Sequence, residues 1–397
     1  MNNDPRPRIG FLTSTDPMDR RSWSGVHHSI FETAARNLGL VTALGPLPMI
    51  WPLRIGDNLN RWLIMPLTGK RYQYSWSVPM AMLYARSFGQ RLRRQRFDLL
   101  LAPASFTEIA YLDTDVPIVY CEDSTLHQLI DFYPSMMGLL NASKRELNHI
   151  EKRALDRAAL VCYSSEWAAC SAIDDYGVDP AKVVVIPFGA NYPTPPAAAE
   201  PPVRSRTGEC RLFLLGGDWL RKGASLAYDA MVALNEQGQP TTLTVVGCAP
   251  PPDEATRYQH PGFTTIPYLN MGEPADLARL DALFRTADFF ILPSRAECAA
   301  IAFADANSFG LPVITTDVGG ISSFVMQGQT GLMLPLSATG ADFAKAIHDL
   351  YHDEAAYLRM RVAARRHYEA VLNWDQWALR LKEELQARGL WPAATQA

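Results

Sequence analysis

The sequence predicts an α/β protein built from two parallel sheets, one in each half of the chain. Three observations carry this. Short apolar runs alternate with helical patterns from end to end, the pattern of successive βαβ units. Most of the runs are apolar on both faces, as strands covered by helices on both sides must be. A proline-rich stretch with few large apolar residues, 191–209 (NYPTPPAAAEPPVRSRTGE), divides them into two sets of similar size and reads as a semi-stiff connector.

In chain order, strands are expected at Arg8–Thr13, Leu40–Leu44, Asp98–Ala102, Ile118–Cys121, Leu160–Ser164 and Val183–Pro187 in the first half. The second half has them at Arg211–Gly216, Thr242–Gly247, Thr264–Pro267, Phe289–Pro293, Val313–Thr316 and Gly331–Leu334. Beyond Ala341 the pattern is helical, with Trp374 and Trp377 on one helix face. The expected division is a first domain at 1–190, the connector, a second domain at 210–372 and a closing helix at 373–397. A chain of 397 residues suits two domains.

Composition excludes several classes. A net charge of −4 and a pI near 6.1 oppose a dedicated nucleic-acid binder. The six cysteines form no C-x-x-C pair, and buried free thiols in a reducing cytoplasm account for them better than disulfides or zinc. The N-terminal MNNDPRPRIGF has no apolar signal core, and no run reaches the roughly 18 apolar residues of a membrane span. A cytoplasmic protein is expected.

The candidate chemistry lies at turns after strands. In the first half, Ser24-Gly25 opens a helix; it offers free backbone N–H groups to an anion, or is simply a Ser cap. From Arg54 to Arg96 nine basic residues face one acid, Asp57, with Trp51, Trp62, Tyr72, Tyr74 and Trp76 interleaved. Such a stretch could grip an anionic acceptor or rest on a membrane surface; its part Leu83–Arg96 reads as a solvated helix face. Asp113-Thr114-Asp115 has the D-x-D form of a metal signature but reads as two solvated turn acids. No cluster has metal-ligand spacing. After the fourth strand, Asp123 is either an acid/base or orienting group or half of a helix-start acid pair with Glu122, and His127 follows one helical turn on.

In the second half, Gly216-Gly217-Asp218-Trp219-Leu220-Arg221-Lys222-Gly223 follows a strand and precedes a helix. Its glycines permit close backbone approach, and Arg221 and Lys222 could neutralise a diphosphate. The plain alternative is a solvated basic turn. The segment Ser294 to Gly331 then places Glu297 at an expected helix start and Asp305 eight residues along that helix. Glu297 fits both a capping box with Ser294 and a ligand contact. Asp305, a mediocre helix-interior residue, is about 12 Å further on by helical rise. That span suits a nucleotide sugar, with its diphosphate between the two acids.

Taken together these pieces resemble the GT-B fold glycosyltransferases, in particular the large retaining family 4. The resemblance rests on Ser24-Gly25, Ser164-Ser165-Glu166, Val185-Ile-Pro-Phe-Gly189, Gly217 to Gly223, Glu297 with Asp305 (against the family's E-x7-E), and Gly319-Gly320 with Gly328 and Gly331. It implies two Rossmann-like domains facing across a cleft, with a C-terminal helix returning to the first. It implies a nucleotide-sugar donor, a hydroxyl acceptor, no metal or other cofactor, and sugar transfer with retention. Carried over residue by residue, Glu297 is expected to hydrogen-bond the sugar, Asp305 the ribose, and Arg221 and Lys222 the diphosphate. Backbone N–H groups of Cys298, Ala299, Ala300 and Ile301 are expected to face the same anion, with Gly25 approaching from the first domain. The base is expected near Tyr268. Where relatives carry an active-site His in the first domain, this chain offers Asp123 or His127. Shortening of the second acid to Asp leaves an inactive nucleotide-sugar-binding scaffold as an alternative. A dehydrogenase is opposed by the missing G-x-G-x-x-G, and an exported receptor by the missing export signal.

Overall fold

In the computed structural model, which describes residues 6–197, 208–299 and 301–391, the chain forms two compact units. Unit 1 is Met1–Ile186 with Trp374–Ala397, and unit 2 is Pro187–Asn373. Each is built on a six-stranded sheet in which the paired strands are all parallel.

In unit 1 the strands are β1 (Arg8–Phe11), β2 (Leu40–Ala43), β3 (Leu99–Pro103), β4 (Ile118–Glu122), β5 (Leu160–Tyr163) and β6 (Val183–Val185), in the order β2-β1-β3-β4-β5-β6. In unit 2 they are β7 (Cys210–Leu215), β8 (Thr241–Val246), β9 (Phe263–Ile266), β10 (Phe289–Leu292), β11 (Val313–Thr316) and β12 (Gly331–Leu334), in the order β12-β11-β10-β7-β8-β9. Every expected strand is present. The central strands β3, β5, β10 and β11 are buried along their whole length, which is why they read as continuous apolar runs. In both units the order reverses beside the first strand, and α/β folds bind ligands outside the strands' carboxyl ends at such a point.

The closing helix Trp374–Ala387 belongs to unit 1, as expected of a returning helix. Thr33 Oγ1 donates to Trp374 O (3.1 Å), and Asn37 Nδ2 and Arg36 donate to Asp375 (2.7 and 3.0 Å). Trp377, on this helix, is fully buried. The units divide between Ile186 and Pro187, slightly ahead of the expected start of the connector. The reason is local. Ala190 N donates to Leu372 O, and Tyr192 is buried against Phe284 and Phe309, so the 190–192 stretch is packed into unit 2. Residues 198–207 of the connector lie outside the described residues.

Candidate functional site

In unit 2 the chain leaves β7 and turns through Gly216 to Gly223 before the helix Ala224–Glu236. Gly223 ends that turn at φ 67°, and a Cβ there would lie 2.0 Å from the Pro293 carbonyl oxygen. Only glycine lets the turn press so closely on the end of β10. Arg295 N donates to Arg221 O (2.7 Å), tying the two loops together.

This approach brings both cations of the turn onto Glu297. Lys222 Nζ donates to Glu297 Oε2 at 2.5 Å, and an Arg221 guanidinium nitrogen lies 3.5 Å from the same oxygen. The three side chains are only 12%, 14% and 5% exposed, so water screens the group weakly. Ser294 Oγ donates to that oxygen as well (3.3 Å), and Arg221 also reaches Ala296 O (3.1 Å). A third loop, after β11, closes over the Glu297 backbone: Gly320 N donates to Glu297 O (3.2 Å). Three neighbouring strands thus deliver their carboxyl-end loops to one residue, Glu297. A second acid, Asp218, lies 3.9 Å from the Arg221 guanidinium at the more exposed end of the turn, so the charges of the cluster balance, and Lys222 and Arg221 are the cations it offers to a phosphate-bearing ligand.

Other expected residues fall differently. The described part of the next helix is Ile301–Ser308, so Glu297 stands in a loop ahead of it and is not a helix-start residue; the loops after β7 and β11 hold it there instead. Cys298 is buried, Ala299 and Ile301 are half-buried, and Ala300 lies outside the described residues. Tyr268, just past β9, is exposed, and its neighbour Leu269 is buried. Asp305, expected at the ribose, is held by backbone of its own unit. Its carboxylate is buried and accepts Tyr192 N at 2.8 Å, with the backbone of Asn191 beside it. Asp305 anchors the 191–192 stretch to unit 2.

Burial raises the Asp305 pKa to about 7, against the lowering effect of the Tyr192 and Asn191 hydrogen bonds. The folded chain therefore holds this proton more tightly than the unfolded chain does. Below the unfolded pKa both states are protonated and nothing is lost. Stability falls as pH rises from about 4 to about 7, and the cost is constant above that. Asp305→Asn, which keeps the acceptor and removes the titration, is expected to gain about 1–3 kcal/mol relative to wild type between pH 5 and pH 8. Thermal unfolding at the two pH values measures this; equal differences at both would contradict it.

In unit 1 the turn before the helix Val26–Asn37 is strained: Trp23, Ser24 and Gly25 have φ of 47°, 54° and 87°. Gly25 is the N-cap, with no side-chain cap from Ser24. At the neighbouring end of β3, Ala104 also has φ 47°. Consecutive left-handed non-glycine residues persist only where the surroundings impose them, and they gather at functional sites. Between the two turns sits His27, buried, with Nε2 3.1 Å from Pro103 O and Nδ1 2.8 Å from Ser22 Oγ. Burial lowers its pKa, against the raising effect of the Pro103 hydrogen bond, and both ring nitrogens have partners. The sequence reading missed His27. The signal available was its place in the first turn of the helix, directly after Ser24-Gly25.

At the end of β4, Asp123 is half-buried and accepts Ser124 Oγ (3.0 Å). Burial, with the Asp123 charge beside it, pushes Glu122 well above the usual carboxylate range. The two acids do not cap the next helix; Thr125 does, in a capping box with Gln128. His127 is exposed and directed to Asp175 (3.7 Å), so of the pair Asp123 is the one held at the strand end. Asp113 and Asp115 are exposed turn residues, and no group of three potential metal ligands occurs among the described residues.

Two family models match the chain: Glycosyltransferase Family 4 over residues 61–192 and Glycosyl transferases group 1 over 209–353. Together they span well over half of it. Glycogen synthase of Mycobacterium tuberculosis is 30% identical over 227 residues, 54% of this chain and 52% of that protein. D-inositol 3-phosphate glycosyltransferase of Jonesia denitrificans is 26% identical over 283 residues, 66% of this chain and 64% of that one. The matches thus span about half to two thirds of these relatives' length. Among solved structures, sucrose-phosphate synthase from Thermosynechococcus elongatus aligns with a TM-score of 0.66 at 16% identity, covering 96% of this chain and 98% of that one. Anabaena HepE, solved in complex with UDP and glucose, aligns at 0.62 and 15%, covering 96% and 100%. At such identities these two establish the likeness of fold.

Proposed function

We propose that this chain, which belongs to the group 1, family 4 glycosyltransferases, transfers a sugar from a nucleotide-sugar donor to an acceptor hydroxyl. The observation that carries the reading is the Lys222–Arg221–Glu297 cluster at the carboxyl ends of β7 and β10. In the reaction, the bond from the sugar's anomeric carbon to the diphosphate oxygen breaks. The acceptor oxygen bonds to that carbon on the face being vacated, and its proton passes to the departing diphosphate. Lys222 and Arg221 meet the charge that grows on the leaving group, an interaction stronger in the transition state than before it. Glu297 holds both cations in place and accepts from a sugar hydroxyl. No covalent intermediate on the protein and no metal or other cofactor is part of this proposal; the product keeps the donor's anomeric configuration. In this reading the base rests near the exposed Tyr268, and Gly25 and Asp123 serve the acceptor side from unit 1.

The test is release of nucleoside diphosphate from a panel of UDP-, GDP-, ADP- and TDP-sugars, with and without sugar or polyol acceptors. Acceptor-dependent release from one donor supports transfer. Saturable binding of a donor with no release would favour the inactive scaffold, a reading that the structural use of Asp305 keeps in view.

A further inference from the structure

The stretch 50–68 of unit 1 is helical throughout: Ile50–Leu59, a wider π-type turn at Asn60–Ile64, then Met65–Thr68. Most of its large apolar side chains are exposed. Trp51, Ile55 and Leu59 recur every four residues, and Trp62, Leu63, Met65 and Leu67 continue the exposed series; Trp51 and Trp62 are 74% and 72% exposed. The helix cannot rotate to hide them. Its inner face is set by Gly56, where a Cβ would lie 1.8 Å from the Tyr74 ring, and by Leu53 packed on the core.

Charge accompanies this stripe. Arg54 lies over the Trp51 ring (5.8 Å) and Arg61 over Trp62 (5.3 Å), with Lys70 and Arg71 following. The one acid of the stretch, Asp57, accepts the Tyr74 hydroxyl at 2.7 Å. Exposed tryptophans paired with arginines along an outward helix match the layered chemistry of a bilayer interface. Indoles settle at headgroup level, aliphatic chains reach the acyl boundary, and guanidinium groups meet lipid phosphates. A second copy of the chain is the poorer occupant, because a self-complementary contact would set these cations against their own duplicates. No helix among the described residues is long and apolar enough to cross a membrane, so the contact is one of lying on the surface.

We propose that the outward face of 51–67 docks this chain on an anionic phospholipid surface. The inference is independent of which donor or acceptor the chain uses. In co-sedimentation at low salt, the full chain is expected to bind vesicles of phosphatidylcholine with about one third phosphatidylglycerol at least about tenfold more tightly than pure phosphatidylcholine vesicles. Molar salt should weaken the binding. Trp51→Glu/Trp62→Glu and, separately, Arg54→Glu/Arg61→Glu should each reduce it about tenfold or more, with unfolding temperature and nucleoside-diphosphate binding unchanged because all four side chains are exposed. Three results would overturn the proposal: no binding to anionic vesicles, equal binding to neutral ones, or full binding by both double variants. Sedimentation equilibrium without lipid covers the remaining case. A dimer of the wild type that the tryptophan variant converts to monomer would assign the face to a second copy instead.

Discussion

Replacing Lys222 by methionine is expected to lower donor turnover by about a hundredfold or more. Packing and an ion pair fix where this side chain ends. Its stem lies so close to Gly216 that a Cβ there would stand 2.7 Å from Lys222 Cγ, and its ammonium ends on Glu297 at 2.5 Å. Methionine preserves the stem's packing and deletes the charge. Two consequences follow. The departing diphosphate loses a cation that would be poorly screened by water, and Glu297, 5% exposed, keeps Arg221 at 3.5 Å and the Ser294 hydroxyl at 3.3 Å but loses its nearest charge. The second effect would cost a few kcal/mol of stability, about the amount lost when a buried pair is broken. The unfolding temperature therefore separates the two losses. Lys222→Arg, which keeps the charge in a bulkier planar group, is expected to recover part of the rate. Turnover of the methionine variant within twofold of wild type would remove Lys222 from the mechanism.

Gly319→Ala is expected to cost about 2–5 kcal/mol of stability and most of the activity. Gly319 sits at φ 59°, and its missing Cβ would lie 1.9 Å from the Glu297 carbonyl oxygen. Backbone has to move on one side or the other, and the moving side is either the Glu297 loop or the Gly320 N–H that bonds it. Gly328→Ala provides the comparison. Gly328 has φ 71°, yet a Cβ there meets nothing within 4 Å. It should cost about 1 kcal/mol from backbone strain alone and leave the activity near wild type. Equal losses of stability for the two alanines would show that the Glu297 contact is not the constraint.

How much of this was legible in the sequence depended on the range of the interaction. Strands covered on both faces show as unbroken apolar runs, so all of them could be read, and Pro193 to Pro196 and Pro201-Pro202 marked the break between the sets. The Arg221-Lys222 and Ser294 to Glu297 motifs were readable because each lies directly after a strand, and parallel strands send those ends to one side. The role of Asp305 was not readable. Its partner, Tyr192, is 113 residues away across the connector, and a buried carboxylate bonded to backbone looks in sequence like any helix acid. The start of the helix after Glu297 was misplaced because a local capping pattern was outweighed by contacts from two other loops. His27 escaped notice for the same reason. Its significance comes from Pro103 O, 76 residues on, and from the left-handed turns at 23–25 and 104. The apolar helix 50–68 was visible as composition, but the direction it faces is decided by Gly56 against Tyr74.

Calorimetric titration of UDP, GDP, ADP and TDP into the wild-type chain and into Lys222→Met is the measurement that bears most directly on the phosphate role of the Lys222–Arg221–Glu297 cluster. Saturable binding of one of the nucleoside diphosphates to the wild type, weakened about tenfold or more in the variant, is the predicted result. Binding of equal strength to both proteins, or of none of the four to the wild type, would contradict it.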